Sequence, residues 1–125
     1  MPSNAILICE DDPVQAKVLT AGVARRGLTI YGPCPSHEDA VAAAKTAPLC
    51  GALLDVSLDG GTVARIAQIL ENRGLPFAFI TGYGPGTDPV LRAFREHIAI
   101  PKPITLDILD TVLDQVIAAP AAAAG

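Results

Sequence analysis

The sequence has few aromatic side chains. Tryptophan is absent, and two tyrosines with three phenylalanines make up 4% of 125 residues, although half of the chain is apolar. A core built from such a chain rests on Ala, Val, Ile and Leu, as buried parallel strands under covering helices do. Met1 is the only methionine, which excludes a methionine-lined docking groove. Nine basic residues stand against thirteen acidic ones, for a net charge of −4, and Arg25-Arg26 is the only adjacent basic pair. Without a basic face to neutralise phosphates, nucleic acid is not an expected partner. No apolar run approaches the roughly 20 residues that span a bilayer, so no membrane partner is expected. The start, Met1-Pro2-Ser3-Asn4, lacks the basic residues of a signal peptide, so a cytoplasmic location is expected. The three cysteines, Cys9, Cys34 and Cys50, show no metal-ligand spacing. Cys9 and Cys50 fall in apolar runs and read as buried free thiols.

The length suits one domain. Strand-like and helix-like segments alternate along it. Apolar runs at 5–9, 28–32, 50–54, 76–80 and 97–100 read as strands. Asp12 reads as an N-cap with Pro13 in the first helical turn, opening a helix to about Arg26 that stops at Gly27. Ser36 with Asp39 resembles a capping pair for a helix to about Thr46. Further helices are expected over 62–72, 89–96 and 105–118. Five βα units with short loops predict an α/β fold, flavodoxin-like and doubly wound, (βα)5 with a five-stranded parallel sheet in the order 2-1-3-4-5. The domain is expected to cover residues 1–118, with 119–125 an Ala/Pro-rich disordered tail.

Four chemical groups each follow an apolar run: Glu10-Asp11-Asp12, Asp55, Thr81 and Lys102-Pro103. Parallel strands deliver all four to the carboxyl edge of the sheet, where open α/β sheets place their sites. Carboxylates at Glu10, Asp11 and Asp55, each pair about 5 Å apart at an effective dielectric near 20, repel by about 3 kcal/mol. Such a cluster ionises fully only around a cation, and hard oxygen ligands suit Mg²⁺. A cation would also let an anionic phosphoryl group approach, with Asp55 as nucleophile, Lys102 as a point charge on the phosphate oxygens and the Thr81 hydroxyl on another oxygen. His37 and His97 read as structural.

Taken together, Ile-Leu-Ile-Cys-Glu10-Asp11-Asp12-Pro, Leu-Leu-Asp55-Val-Ser, Phe-Ile-Thr81-Gly and Pro-Lys102-Pro103 resemble the receiver domain of two-component response regulators. The resemblance covers residues 4–118. It implies that Glu10 and Asp11 hold Mg²⁺, that Asp55 accepts the phosphoryl group and also ligates the metal, and that Ser57 offers the metal its backbone carbonyl. It further implies that Thr81 is the switch hydroxyl, Lys102 the family lysine, and the Lys102–Pro103 bond cis. The chain departs from the family in two places. The loop after Asp55 lacks the usual Met-Pro pair, and Ala99 stands where an aromatic switch residue is usual. Tyr83, two residues after Thr81, supplies an aromatic instead. The segment Pro76-Phe77-Ala78-Phe79-Ile80-Thr81-Gly82-Tyr83 resembles the FATGUY subgroup, with Ile80 in place of its alanine. That subgroup implies a histidine kinase of the HWE or HisKA2 type as partner, or a phosphotransfer protein, and a downstream protein target.

The expected function is a stand-alone receiver that accepts a phosphoryl group and signals by protein contact or phosphorelay, a phosphoprotein rather than an enzyme. A degenerate receiver that binds partners without phosphate is the alternative. A flavin-binding module is disfavoured because Glu-Asp-Asp replaces a phosphate loop. An aspartyl-phosphate phosphatase is disfavoured because Ser57 occupies the place of its second aspartate. The last helix carries apolar residues over about half of its circumference. That pattern reads either as a deeply nested helix or as one with a docking or homodimer margin.

Overall fold

The computed structural model describes residues 4–34, 36–56, 63–81, 97–102 and 104–124. Five strands, β1 (Ala5–Cys9), β2 (Thr29–Cys34), β3 (Gly51–Asp55), β4 (Phe77–Thr81) and β5 (Ile98–Pro101), form one parallel sheet in the order β2-β1-β3-β4-β5. Among the described residues four helices accompany them: α1 (Pro13–Arg25), α2 (His37–Thr46), α3 (Ala64–Asn72) and α4 (Leu106–Ala124). This is the flavodoxin-like order expected from the sequence. The short helix expected over 89–96 lies outside the described residues.

Alternation along the central strands divides the core between the two faces. Leu7, Ala52, Leu54, Phe77 and Phe79 face α2 and α3, with Ala40, Ala44, Ile66 and Leu70 over them. Ile6, Ile8, Leu53, Ala78 and Ile80 face α1 and α4, with Leu19, Val23, Leu109 and Leu113 over them. Each fully buried Leu or Ile contributes about 1.5–3 kcal/mol relative to exposure, so this two-sided burial is what holds the sheet edges in place.

Helix ends follow their capping chemistry. The Asp12 carboxylate accepts from the Val14 N–H at 3.0 Å, and Pro13 occupies the first turn. Ser36 accepts from the Asp39 N–H at 3.3 Å. Helix α1 ends through Gly27 at φ 75°, in the left-handed region that glycine adopts freely. At Gly32, φ 108° again demands glycine, and a Cβ there would sit 2.7 Å from the Cys34 nitrogen. The Gly32–Pro33 peptide is cis, which the sequence reading did not anticipate. The cis bond expected at Pro103 falls outside the described residues.

Some boundaries differ from expectation. Strand β2 runs on to Cys34 because the Glu10 N–H bonds to the Cys34 carbonyl at 3.2 Å and extends the pairing past the irregularity between Leu7 and Cys9. Helix α4 continues to Ala124, beyond the boundary at 118 and into the expected tail. Alanine's high helix propensity favours this continuation, while Pro120 removes one ladder donor. On α4, Leu109, Leu113 and Val116 are fully covered, whereas Leu106 and Ile108 are 36% and 44% exposed. The apolar half-circumference is therefore a nested stripe plus an exposed margin.

Helices α1 and α4 meet at Gly22, where a Cβ would lie 2.2 Å from Leu109 Cδ2. Arg25 pairs with Asp110, and Arg26 with Asp114, along the same seam. On the other face Arg73 donates to the carbonyls of Ala44 at 2.6 Å and Ala47 at 2.9 Å, closing the end of α2. Arg73→Ala should therefore destabilise the domain by about 1–3 kcal/mol, because those partly buried carbonyls lose a charged donor. Urea denaturation checks this: the midpoint should fall while the slope stays constant.

Candidate functional site

Register sets the site. Cys9 pairs with Leu54, so the next residues on each strand, Glu10 and Asp55, emerge side by side. Asp55 pairs with Ile80 and Thr81 with Pro101, which brings Thr81 and Lys102 to the same edge. The Lys102 N–H donates to the Thr81 carbonyl at 2.7 Å, and the Val56 N–H to the Ile80 carbonyl at 3.0 Å. Each strand end is thus tied to its neighbour by backbone.

Glu10, Asp55 and Thr81 are buried, with Asp55 fully covered, while Asp11 is exposed. One carboxylate oxygen from each of Glu10, Asp11 and Asp55 lies within 4.8 Å of the others. Lys102 Nζ donates to Asp55 Oδ2 at 3.0 Å and lies 3.6 Å from Glu10 Oε2. Glu10 Oε2 also accepts from the Asp12 N–H at 3.2 Å, while Glu10 Oε1 is buried with no donor. An orphaned buried acceptor beside two further carboxylates, with only hard oxygens offered, fits Mg²⁺.

The electrostatics agree. Burial pushes the Glu10 carboxyl up from 4.5 to about 8. Hydrogen bonding with Asp55 and that residue's charge add to the rise, and the Asp12 N–H and Lys102 oppose it. Without a cation, a proton is what joins two crowded carboxyl groups. Burial lowers Lys102, but the hydrogen bond to Asp55 and the charges of Asp55, Glu10 and Asp12 outweigh it, and the ammonium is raised above its ordinary value.

The site residues Glu10, Asp11, Asp55, Thr81 and Lys102 therefore converge. Ser57, Tyr83 and Pro103 lie outside the described residues. Asp12, expected only as a helix cap, also donates its backbone N–H to Glu10 Oε2, a contact that depends on the direction of a peptide group. His97 is structural, its ring stacked on Phe77 at 4.0 Å and its Nε2 2.9 Å from Glu71 Oε2. The described cysteines are free, and burial raises the thiol pKa values of Cys9, Cys34 and Cys50. No described helix is long and apolar enough to cross a membrane.

The five-stranded parallel sheet in this order matches the flavodoxin-like fold of CheY-like response-regulator receiver domains among solved structures. Among solved structures, SdrG from Sphingomonas melonis Fr1 is 29% identical, with a TM-score of 0.75 over 95% of this chain and 97% of that one. The signal receiver domain of a modulated diguanylate cyclase from Desulfovibrio desulfuricans G20 is 26% identical, with a TM-score of 0.80 over 96% and 98%. The receiver domain of sensor histidine kinase PA1611 from Pseudomonas aeruginosa PAO1, solved with magnesium coordinated in its active site cleft, shares the fold at 20% identity. Its TM-score is 0.77 over 93% and 98%. No protein-family model matches the sequence, and no curated protein does.

Because unfolded Glu10 ionises near 4.5 and folded Glu10 near 8, the metal-free fold should lose stability as pH rises between those values. Glu10→Gln should remove most of that slope. Melting temperatures across this pH window, in chelator, check both statements.

Proposed function

We propose that the chain is a response-regulator receiver that takes a phosphoryl group onto Asp55 in a Mg²⁺-dependent reaction. The observation that carries the reading is the convergence of three carboxylates within 4.8 Å with Lys102 Nζ 3.0 Å from Asp55. Asp55 is the acceptor because it ends the central strand β3 between the acidic pair and the lysine. Its carboxylate oxygen attacks the phosphorus of a phosphoimidazole. The O–P bond forms as the N–P bond breaks, and the donor histidine leaves with the electron pair and takes up a proton.

Glu10, Asp11 and Asp55, with the Ser57 carbonyl, would hold Mg²⁺, which when bound screens the carboxylates and stabilises the equatorial phosphoryl oxygens. Lys102 exchanges part of its contact with Asp55 for the incoming phosphate. Thr81, at the end of β4, offers its hydroxyl to another phosphate oxygen and reads the state of the site, with Tyr83 two residues on. The donor is a histidine kinase, of the HWE or HisKA2 type if the likeness of residues 76–83 to the FATGUY subgroup holds, or a phosphotransfer protein. Output is by contact with a downstream protein in the cytoplasm, by phosphorelay, or through pairing of two chains along the exposed margin of α4. The protein assists its own phosphorylation and dephosphorylation without turning over a separate substrate.

Intact mass after incubation with acetyl phosphate tests this. One phosphoryl group should add to the wild type with Mg²⁺, and none in chelator or to Asp55→Asn. Lys102→Ala should slow the addition on the order of 100-fold, the scale on which loss of one charge-stabilising donor is felt. A Mg²⁺-independent adduct, or one retained in Asp55→Asn, would overturn the reading.

A further inference from the structure

We propose that Asp12, the helix cap, is a positioning residue for the cation site. The inference rests on the reading that Glu10 ligates a divalent cation. Asp12 sits in extended backbone at φ −83°, ψ 116°, between the acidic pair and α1. Its carbonyl accepts the first helical bond, from the Ala16 N–H at 2.8 Å. Its carboxylate accepts from the Val14 N–H at 3.0 Å, the first N–H after Pro13, which has none to give. These two bonds fix the peptide before α1.

The consequence falls on Glu10. With the cap closed, the Asp12 N–H is held 3.2 Å from Glu10 Oε2. That oxygen also faces Lys102 at 3.6 Å, so Oε2 faces two donors while no donor reaches the buried Oε1 on the side of Asp55. A carboxylate with one oxygen tied and one left over is oriented for a ligand rather than free to rotate. The side chain of Asp12 thus acts two bonds away: carboxylate to Val14, peptide N–H to Glu10, and Glu10 Oε1 to the cation. Residues that orient metal ligands in this way commonly alter affinity as much as some ligands do.

Titration of MgCl₂ into the full chain by calorimetry, with melting curves on the same samples, tests the inference. Asp12→Ala removes the cap and should weaken Mg²⁺ binding about tenfold, the low end for outer-shell partners of metal ligands. Asp12→Asn keeps a capping oxygen without the charge and should bind close to wild type. Asp12→Gly, which costs a helix N-terminus little, serves if the alanine variant does not fold, and should show the same loss as alanine. Wild-type affinity in the alanine or glycine variant, with only a lowered melting temperature, would reduce Asp12 to a structural cap. Equal losses in the asparagine and alanine variants would assign the effect to charge instead. A wild type that gives no Mg²⁺ binding overturns the cation reading itself, and this inference with it.

Discussion

The site depends on one like-charge contact. Parallel pairing of β1 with β3 sets Glu10 beside Asp55, where two carboxylates repel in a place water scarcely reaches. Hydrophobic burial on both faces of the sheet holds them there. In the metal-free protein the repulsion raises the affinity of Glu10 for a proton, and the ammonium of Lys102 lies against Asp55. The stability of the core is thereby converted into affinity for positive charge at one edge. The same charge makes Asp55 approachable by an anion.

The remaining structure keeps that edge in register. Arg73 binds the end of α2 to α3, and the seam of Gly22 with Leu109 lets α1 lie close to α4. Charged pairs along the seam, Arg25 with Asp110 and Arg26 with Asp114, are partly solvated and contribute little energy each. They act as a key for which turn of α4 meets which turn of α1.

Much of this could be read from the sequence for physical reasons. Five short apolar runs, separated by segments of helical length with caps, Gly or Pro at their ends, leave little choice but alternating strands and helices, and alternation with short loops implies a parallel sheet. Glu10, Asp11, Asp55, Thr81 and Lys102 were legible because each lies at the end of its strand or within two residues of it, so position along the chain translates directly into position at the edge. What could not be read depends on contacts between distant segments. The extension of β2 to Cys34 needs the Glu10 N–H. The second role of Asp12 needs the direction of a peptide group. The division of α4 into a covered stripe and an exposed Leu106 and Ile108 depends on how deeply α1 and the sheet receive it.

The outer strands β2 and β5 share a feature whose effect lies outside the site. An open strand normally presents amide hydrogens that another chain can pair with, the first step of edge-to-edge association. Here β2 carries Pro33 in its last turn of pleat and β5 ends on Pro101, and neither residue has an amide hydrogen to give. Both open borders of the sheet are thus blunted at the end nearest the acidic pocket. At this end the outer strands therefore offer another chain fewer backbone donors to pair with, and the sheet is a poorer template for growth there.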